Sequence, residues 1–117
     1  MRAGIALLLL AMGGACSPPR EAVTGLDSER GRRLLGDFGC ASCHVIPGVA
    51  ASMSPAAPSL EGLGRRVYLA GILPNTLENL SLWIEAPQDV DPLTAMPDLG
   101  VTPEQARQMA AYLMELR

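Results

Sequence analysis

The sequence predicts a small all-α protein with three or four short helices and two long loops. The chain has 117 residues, which is enough for one domain. Apolar residues recur at spacings of three and four in three segments, and no segment alternates as a half-buried strand does. Ten prolines and twelve glycines limit the length of each helix. Aromatic residues make up only 3% of the chain, so its core is underfilled unless a non-protein group occupies it.

The N-terminal segment has the pattern of a secretory signal peptide. Arg2 precedes the apolar stretch 3–12, and small residues follow up to Cys16. A membrane-spanning helix needs about 20 apolar residues, so this stretch is too short to cross a bilayer. The residues before Cys16 resemble the lipobox of bacterial lipoproteins, which implies lipidation of Cys16; the alternative is ordinary cleavage nearby that leaves a dispensable thiol. We therefore expect export, with residues 1–15 removed as a lipoprotein-like signal peptide.

A flexible tether over residues 16–25 is expected to join this anchor to a folded domain over residues 26–117. The tether has no apolar period and contains Pro18 and Pro19. Removal of the leader takes away one arginine and changes the formal net charge from −3 to −4. All nine cationic residues are arginines. Without an excess of basic residues, the domain is not expected to bind nucleic acid.

The first predicted helix of the domain precedes a cysteine-containing segment. Asp27 or Ser28 can cap this helix, which is expected to run to about Phe38 and to end at Gly39. Residues 45–57 follow neither a helical nor a strand period and are predicted to form an unusually apolar loop.

Two further helices are predicted in the second half of the domain. One or two short helical turns are expected within residues 59–70. Thr76 can cap a second helix that ends near Ala86 because Pro87 follows, and residues 87–100 are expected to form another loop. A capping-box pattern then starts the last helix, with the residues Thr102, Pro103 and Gln105.

Cys40, Cys43 and His44 form the motif C-x-x-C-H directly after the first predicted helix. Two thiols about one helical turn apart can each add to a vinyl group of the same haem, and the adjacent imidazole can then ligate the iron. The motif therefore predicts one covalently bound haem c, with Cys40 and Cys43 as thioether residues and His44 as an axial iron ligand. Covalent attachment lets a small, loop-rich chain retain a large planar cofactor.

Three other interpretations of this motif are possible. A thioredoxin-like redox site needs a βαβ context, which the helices and loops do not offer. A structural zinc site needs four ligands, but His44 is the only histidine and the remaining cysteine, Cys16, lies near the leader. A disulfide between Cys40 and Cys43 is the simplest alternative for an exported protein. The export signal and the adjacent histidine favour haem attachment.

The second axial position of the iron requires another side chain, because the chain has one histidine. Met109 lies on the apolar face of the last helix, where core packing is more common. Met53 follows His44 too closely to reach the opposite haem face easily. Met96 lies in an extended loop stiffened by Pro97 and is the predicted ligand. Axial histidine and methionine leave no open iron site, and thioether ligation favours ferrous iron, so the pair predicts electron transfer.

With these features the chain resembles the class I (monohaem) c-type cytochromes and their cytochrome c fold, over about residues 26–117. It is more narrowly similar to the cytochrome c domain fused to subunit II of bacterial caa3-type oxidases. The resemblance rests on Gly31 to Leu35, the motif at 40–44, Pro58 to Leu60, Leu73 to Leu80, Trp83-Ile84, Pro87-Gln88, Met96 to Leu99 and Tyr112-Leu113.

The resemblance implies roles for residues near the haem. The Pro58 carbonyl would accept the Nδ1 hydrogen of His44 and so orient the ring. Gly31 and Tyr112 would lie where the first and last helices cross, since glycine permits close approach.

The resemblance also implies which residues face the haem propionates. These would be Arg65 or Arg66 together with Tyr68 and Trp83. The alternatives are solvated arginines and ordinary core aromatics.

The same resemblance implies how redox partners dock. Mitochondrial relatives use a ring of lysines, and this chain has none. The apolar loop with Ile46, Pro47, residues 49–51 and Met53 is expected either to dock partners through a small hydrophobic patch or simply to cover the haem.

The expected function is one-electron transfer in the bacterial periplasm by a monomeric, lipid-anchored protein that is not itself an enzyme. Its partners would be a quinol-oxidising complex and a terminal oxidase or another respiratory acceptor. Two alternatives stay open. One is a haem subunit of a larger oxidase or dehydrogenase, and the other is a haem sensor or enzyme in which Met96 dissociates from the iron.

Overall fold

The computed structural model describes residues 25–50 and 55–117, and the chain is mainly helical there. The predicted signal peptide over 1–15, the lipidation at Cys16 and the tether over 16–25, apart from Gly25, lie outside these residues. The elements in chain order are helix α1 (Gly25–Asp37), strands β1 (Tyr68–Leu69) and β2 (Leu73–Pro74), and helices α2 (Leu77–Glu85), α3 (Pro87–Val90) and α4 (Pro103–Glu115). Single 3₁₀ turns lie at Cys40–Ser42 and Leu63–Arg65. The predicted all-α class is confirmed.

Helix α1 starts earlier than its sequence signal indicates. It begins at Gly25, so Asp27 and Ser28 lie inside its first turns, and the prediction that either residue caps it is wrong. The side chain of Ser28 is buried within the fold. Asp27 lies in the first turn, where the helix dipole favours an acidic side chain. The predicted end is correct, because Gly39 follows with a left-handed φ of 72°.

Helices α1 and α4 cross closely at Gly31. A Cβ atom at this position would overlap the backbone carbonyl of Gln108, so only glycine allows this approach. The interface below the crossing contains Leu35, at 2% exposure, and Met109, at 0%. The expected glycine contact between the first and last helices is therefore present.

Helix α2 packs on the other side of α4 through Leu80 and Ile84, which are both buried. Thr76 caps α2 as predicted, since its Oγ1 accepts a hydrogen bond from Asn79 N at 3.1 Å. Pro87 ends α2 but also starts α3, where a continuous loop was predicted. The fixed φ of proline suits the first helical position, and its missing N–H costs nothing there.

A two-stranded antiparallel ribbon of β1 and β2 was not predicted. Strands of two residues are too short to show an alternating pattern. The ribbon is closed by a turn in which Ala70 and Gly71 have φ angles of 48° and 71°. One of the helical turns expected within 59–70 is present at Leu63–Arg65.

Helix α4 starts with the predicted capping box, in which Thr102 and Gln105 exchange two hydrogen bonds of 3.0 and 3.3 Å. Its C-terminal end meets the turn at Leu63–Arg65, where Gly64 N donates to Leu116 O at 2.8 Å. α1 and α4 each have 13 residues, and no helix of the described segments is long and apolar enough to span a bilayer.

Candidate haem site

The two thiols of the C-x-x-C-H motif lie on one turn of 3₁₀ helix. Gly39 permits the left-handed conformation that starts this turn. Cys43 N and His44 N both donate to Cys40 O, at 3.3 and 3.0 Å. Both cysteines are free thiols. The turn therefore holds both thiols and the imidazole on one compact segment.

The two thiols have different surroundings. Cys40 is half-buried, and its burial raises the pKa of the thiol. Cys43 is exposed. Addition of an S–H group across a vinyl double bond forms one C–S and one C–H bond, and no atom is lost. Each thiol can therefore form a thioether bond to a vinyl group without a leaving group.

Residues 57–60 hold the segment 43–45 by three hydrogen bonds. Ala57 N donates to Cys43 O at 3.0 Å, and Leu60 N donates to Val45 O at 2.9 Å. Between them, His44 Nδ1 lies 2.7 Å from Pro58 O. The imidazole is therefore fixed at its backbone and at its ring.

The hydrogen bond to Pro58 determines the tautomer of His44. A carbonyl oxygen can only accept, so Nδ1 carries a proton, and in the neutral ring Nε2 carries the lone pair. Nε2 makes no hydrogen bond within residues 25–50 and 55–117. Nε2 is thus the nitrogen through which this side chain can bind haem iron.

The two arginines that were candidates for the haem propionates differ in their contacts. Arg66 Nη2 donates to Ser59 O at 2.5 Å and to Glu61 O at 3.3 Å, and so braces the loop next to Pro58. Arg65 is exposed and makes no hydrogen bond or ion pair with the described part of the chain. Arg65 is therefore the better candidate for an anionic group.

Tyr68 and Trp83 also have unpaired polar tips. Tyr68 is 60% exposed in β1, and Trp83 is half-buried in α2. Neither the Tyr68 hydroxyl nor the Trp83 indole N–H has a hydrogen-bond partner among the described residues. None of the four aromatic side chains belongs to the fully buried core, since Phe38 and Tyr112 are half-buried as well. These surfaces fit a cofactor that covers the rings and offers acceptors to their donors.

Met96 lies half-buried in the irregular segment between α3 and α4. Its backbone N–H donates to Thr94 Oγ1 at 3.2 Å, and its carbonyl accepts from Gln88 Nε2 at 2.7 Å. Met109 is enclosed in the core. Met53 lies outside the described residues. Of these three methionines, Met96 is the one that the structure places in an accessible loop.

Part of the apolar loop after the motif is buried, whereas a docking patch has to be exposed. Ile46 is 2% exposed and belongs to the core, so its predicted place in a docking patch is wrong. Tyr112 Oη donates to Pro47 O at 2.8 Å, and Arg32 Nη1 donates to Gly48 O at 2.9 Å. These bonds tie the loop to α4 and α1. Residues 51 and 53 of the proposed patch lie outside the described residues.

Sequence reasoning missed the contacts of Gln88 and Asn75. Asn75 Nδ2 donates to Leu63 O and Arg66 O at 2.8 and 2.9 Å and so joins the link between β2 and α2 to the segment that carries Arg65. Both residues fall within segments that carry the family resemblance, but side-chain bonds to distant carbonyls leave no periodic signal.

For the alternative zinc site, the described residues contain no group of three or more potential metal ligands.

The geometry can be compared with known proteins. The sequence profile of the family described as cytochrome c matches residues 28–117. The chain is 31% identical over 98 residues to cytochrome c oxidase subunit 2 of Alkalihalophilus pseudofirmus, a match that covers 83% of this chain and 28% of that protein. It is 33% identical over 104 residues to cytochrome c oxidase subunit 2 of Bacillus sp. strain PS3, covering 84% and 28%.

The chain thus spans 28% of the length of the curated relatives it matches. The family match covers most of the chain and includes the C-x-x-C-H turn. The chain belongs to the cytochrome c family, whose members carry covalently bound haem c.

Proposed function

We propose that this protein is a one-electron carrier of the bacterial periplasm, with His44 and Met96 as the axial ligands of its haem iron. It delivers electrons to a terminal oxidase or another respiratory partner. Haem-based electron transfer follows from the family itself. The ligands, the compartment and the partner are the specific content of the proposal.

The hydrogen bond between His44 Nδ1 and Pro58 O, 2.7 Å long, carries the proposal. It orients the ring and leaves Nε2 as the nitrogen for binding, and a hydrogen bond from the other ring nitrogen to a carbonyl also strengthens a histidine as a ligand. Cys40 and Cys43 would hold the haem covalently on the same turn. When bound, the haem supplies an iron that passes between ferric and ferrous states.

Ligation by Met96 favours electron transfer over oxygen or peroxide chemistry. With two side chains bound, no iron position stays open for an external ligand, and a thioether stabilises ferrous iron. The hydrogen bonds at both backbone groups of Met96 support this assignment, because they fix the residue within an irregular loop. Arg65, Tyr68 and Trp83 would direct their donors to the propionates.

Replacement of Met96 by alanine tests the proposal. We expect the far-red charge-transfer band of methionine-ligated ferric haem to be present in the wild type and lost in Met96→Ala. The reduced wild type should bind carbon monoxide poorly at neutral pH, whereas reduced Met96→Ala should bind it promptly, because its iron has an open position.

Met114→Ala is the matched control, since this methionine lies in α4 and is half-buried. It should keep the band and exclude carbon monoxide. Survival of the band in Met96→Ala would refute the ligand assignment. Prompt stoichiometric carbon monoxide binding by the wild type would favour the sensor or enzyme alternative instead.

A second candidate is a haem subunit fixed within a larger oxidase. Both relatives are cytochrome c oxidase subunit 2 proteins, which favours this candidate. A stable complex that survives purification from native membranes in mild detergent would support this candidate, whereas a carrier comes away alone.

The proposed export and membrane attachment depend on the leader and on Cys16. The pattern over residues 1–15 supports export, and Cys16 supplies the attachment point for a lipid. A lipid anchor would confine electron transfer to partners at the same membrane.

A further inference from the structure

The segment from Asp91 to Thr102, here called the Met96 loop, is organised mainly by short-range bonds. Asp91 Oδ1 accepts from Leu93 N at 3.0 Å, and Asp98 Oδ1 accepts from Gly100 N at 2.9 Å. Thr94 Oγ1 accepts from Met96 N at 3.2 Å. Each of these bonds spans two residues, so they shape the loop locally but do not fix it to the rest of the protein.

Gln88 supplies a connection from the loop to a helix. Its Nε2 donates to Met96 O at 2.7 Å across eight residues. In the described part of the chain, this is the one side-chain hydrogen bond that joins residues 92–101 to α3. The acceptor is the backbone carbonyl of Met96, the residue that is proposed to ligate the iron.

The backbone around Gln88 is held by packing and by hydrogen bonds. The neighbouring Pro87 is almost completely buried, and its carbonyl accepts from Asp91 N at 2.9 Å. Ala86 N donates to Leu82 O at 2.9 Å and joins the start of α3 to the end of α2. Gln88 therefore links the backbone of Met96 to the packed helices α2 and α3.

We propose that Gln88 is a positioning residue for Met96 and that its hydrogen bond keeps the methionine on the iron. The inference rests on the proposed ligation by Met96. A loop without this bond moves more freely, and the population in which Met96 has left the iron increases. An external ligand binds in proportion to that population.

Imidazole binding to the ferric holoprotein measures this population. A neutral hydrogen bond at an exposed site changes an equilibrium by a factor of about three to ten. We therefore expect the apparent Kd for imidazole to be roughly three- to tenfold lower in Gln88→Leu than in the wild type. Gln88→Arg, which restores an N–H donor, should return the Kd towards the wild-type value.

Asp89→Leu is the matched control. Asp89 is the exposed neighbour of Gln88 in α3, and its side chain makes no hydrogen bond with the described residues. Asp89→Leu should bind imidazole as the wild type does and should unfold at a temperature similar to that of Gln88→Leu. Equal imidazole affinities for Gln88→Leu and Asp89→Leu would refute the positioning role.

The far-red band separates this outcome from a failure of the proposed function. If the band is lost in Met96→Ala but Gln88→Leu binds imidazole like the wild type, Met96 is the ligand and the inference about Gln88 is wrong. If the band survives in Met96→Ala, the ligand assignment itself is wrong, and the role of Gln88 fails with it.

Discussion

His44 illustrates how one hydrogen bond determines what a side chain can bind. An imidazole has two nitrogens of similar basicity, and the Pro58 carbonyl, 2.7 Å from Nδ1, fixes the proton on that atom. In the neutral ring, Nε2 is then the nitrogen that carries the lone pair. The C-x-x-C-H spacing predicts the ligand, but the nitrogen that is available for binding is determined by a residue fourteen positions later.

At the level of single residues, the sequence predicts the reactive groups better than the groups that position them. Cys40, Cys43 and His44 are adjacent, so their spacing alone indicates haem attachment. Gln88 and Asn75 act through backbone carbonyls of other segments, and any residue type supplies a carbonyl. Only the folded chain shows which carbonyl a side chain reaches.

Asn75 allows a test of such a contact. Asn75→Asp replaces the amide donor with a carboxylate that faces Leu63 O and Arg66 O. We expect the free energy of unfolding to fall by about 2–4 kcal/mol, because two hydrogen bonds are lost and a charge is partly buried. Denaturant unfolding of the holoprotein, followed by circular dichroism, measures this loss.

Asn79→Asp provides the comparison. Asn79 Nδ2 makes one such bond, to Pro74 O at 2.9 Å, and lies in the first turn of α2, where a carboxylate is favoured by the helix dipole. The free energy of unfolding of Asn79→Asp should fall by less than about 1 kcal/mol. Equal losses at the two positions would contradict the role assigned to Asn75.

Among the elements, the long helices are predictable and the short ones are not. α4 has a complete capping box and α2 has a threonine cap, and both signals are local. Pro87 is ambiguous, since a proline both ends one helix and suits the first turn of the next. The β1–β2 ribbon depends on the turn at Ala70–Gly71, and a left-handed alanine has no sequence signature.

The α1–α4 crossing leads to a prediction about helix packing. Gly31→Ala would place a methyl group into the carbonyl of Gln108 and force the two helices apart. We expect the free energy of unfolding to fall by about 3 kcal/mol, because overpacking at a close backbone contact cannot relax cheaply. Thermal or denaturant unfolding of the holoprotein tests this.

Gly36→Ala is the control on the same helix. Its new Cβ would lie 3.7 Å from Val49 Cγ1, an ordinary contact. The higher helix propensity of alanine should make this variant neutral or more stable by up to about 1 kcal/mol. A similar destabilisation by both substitutions would show that the close contact between Gly31 and Gln108 does not determine the effect.

For the whole molecule, the distribution of charge is more informative than the net value of −3. Residues 67–106 contain six carboxylates and no cationic residue. This stretch includes α2, α3 and the Met96 loop, where Leu93 is 93% exposed. We therefore expect the surfaces that this acidic stretch forms to favour cationic redox partners.

Small redox reagents of opposite charge test this asymmetry. The tris(phenanthroline)cobalt(III) cation should oxidise the reduced protein several-fold faster at low ionic strength than at about 0.5 M salt, where the Debye length is only a few ångströms. The hexacyanoferrate(III) anion should show the opposite trend in stopped-flow measurements. The same trend for both reagents would show that electrons do not leave through the surfaces formed by residues 67–106.

The three bonds between residues 43–45 and 57–60 also bear on how far the chain can be altered. They pin both ends of the intervening connection beside His44. Because these bonds fix the backbone on both sides of the histidine, we expect its position to be more sensitive to substitutions in residues 57–60 than to the length of the chain that joins the two segments.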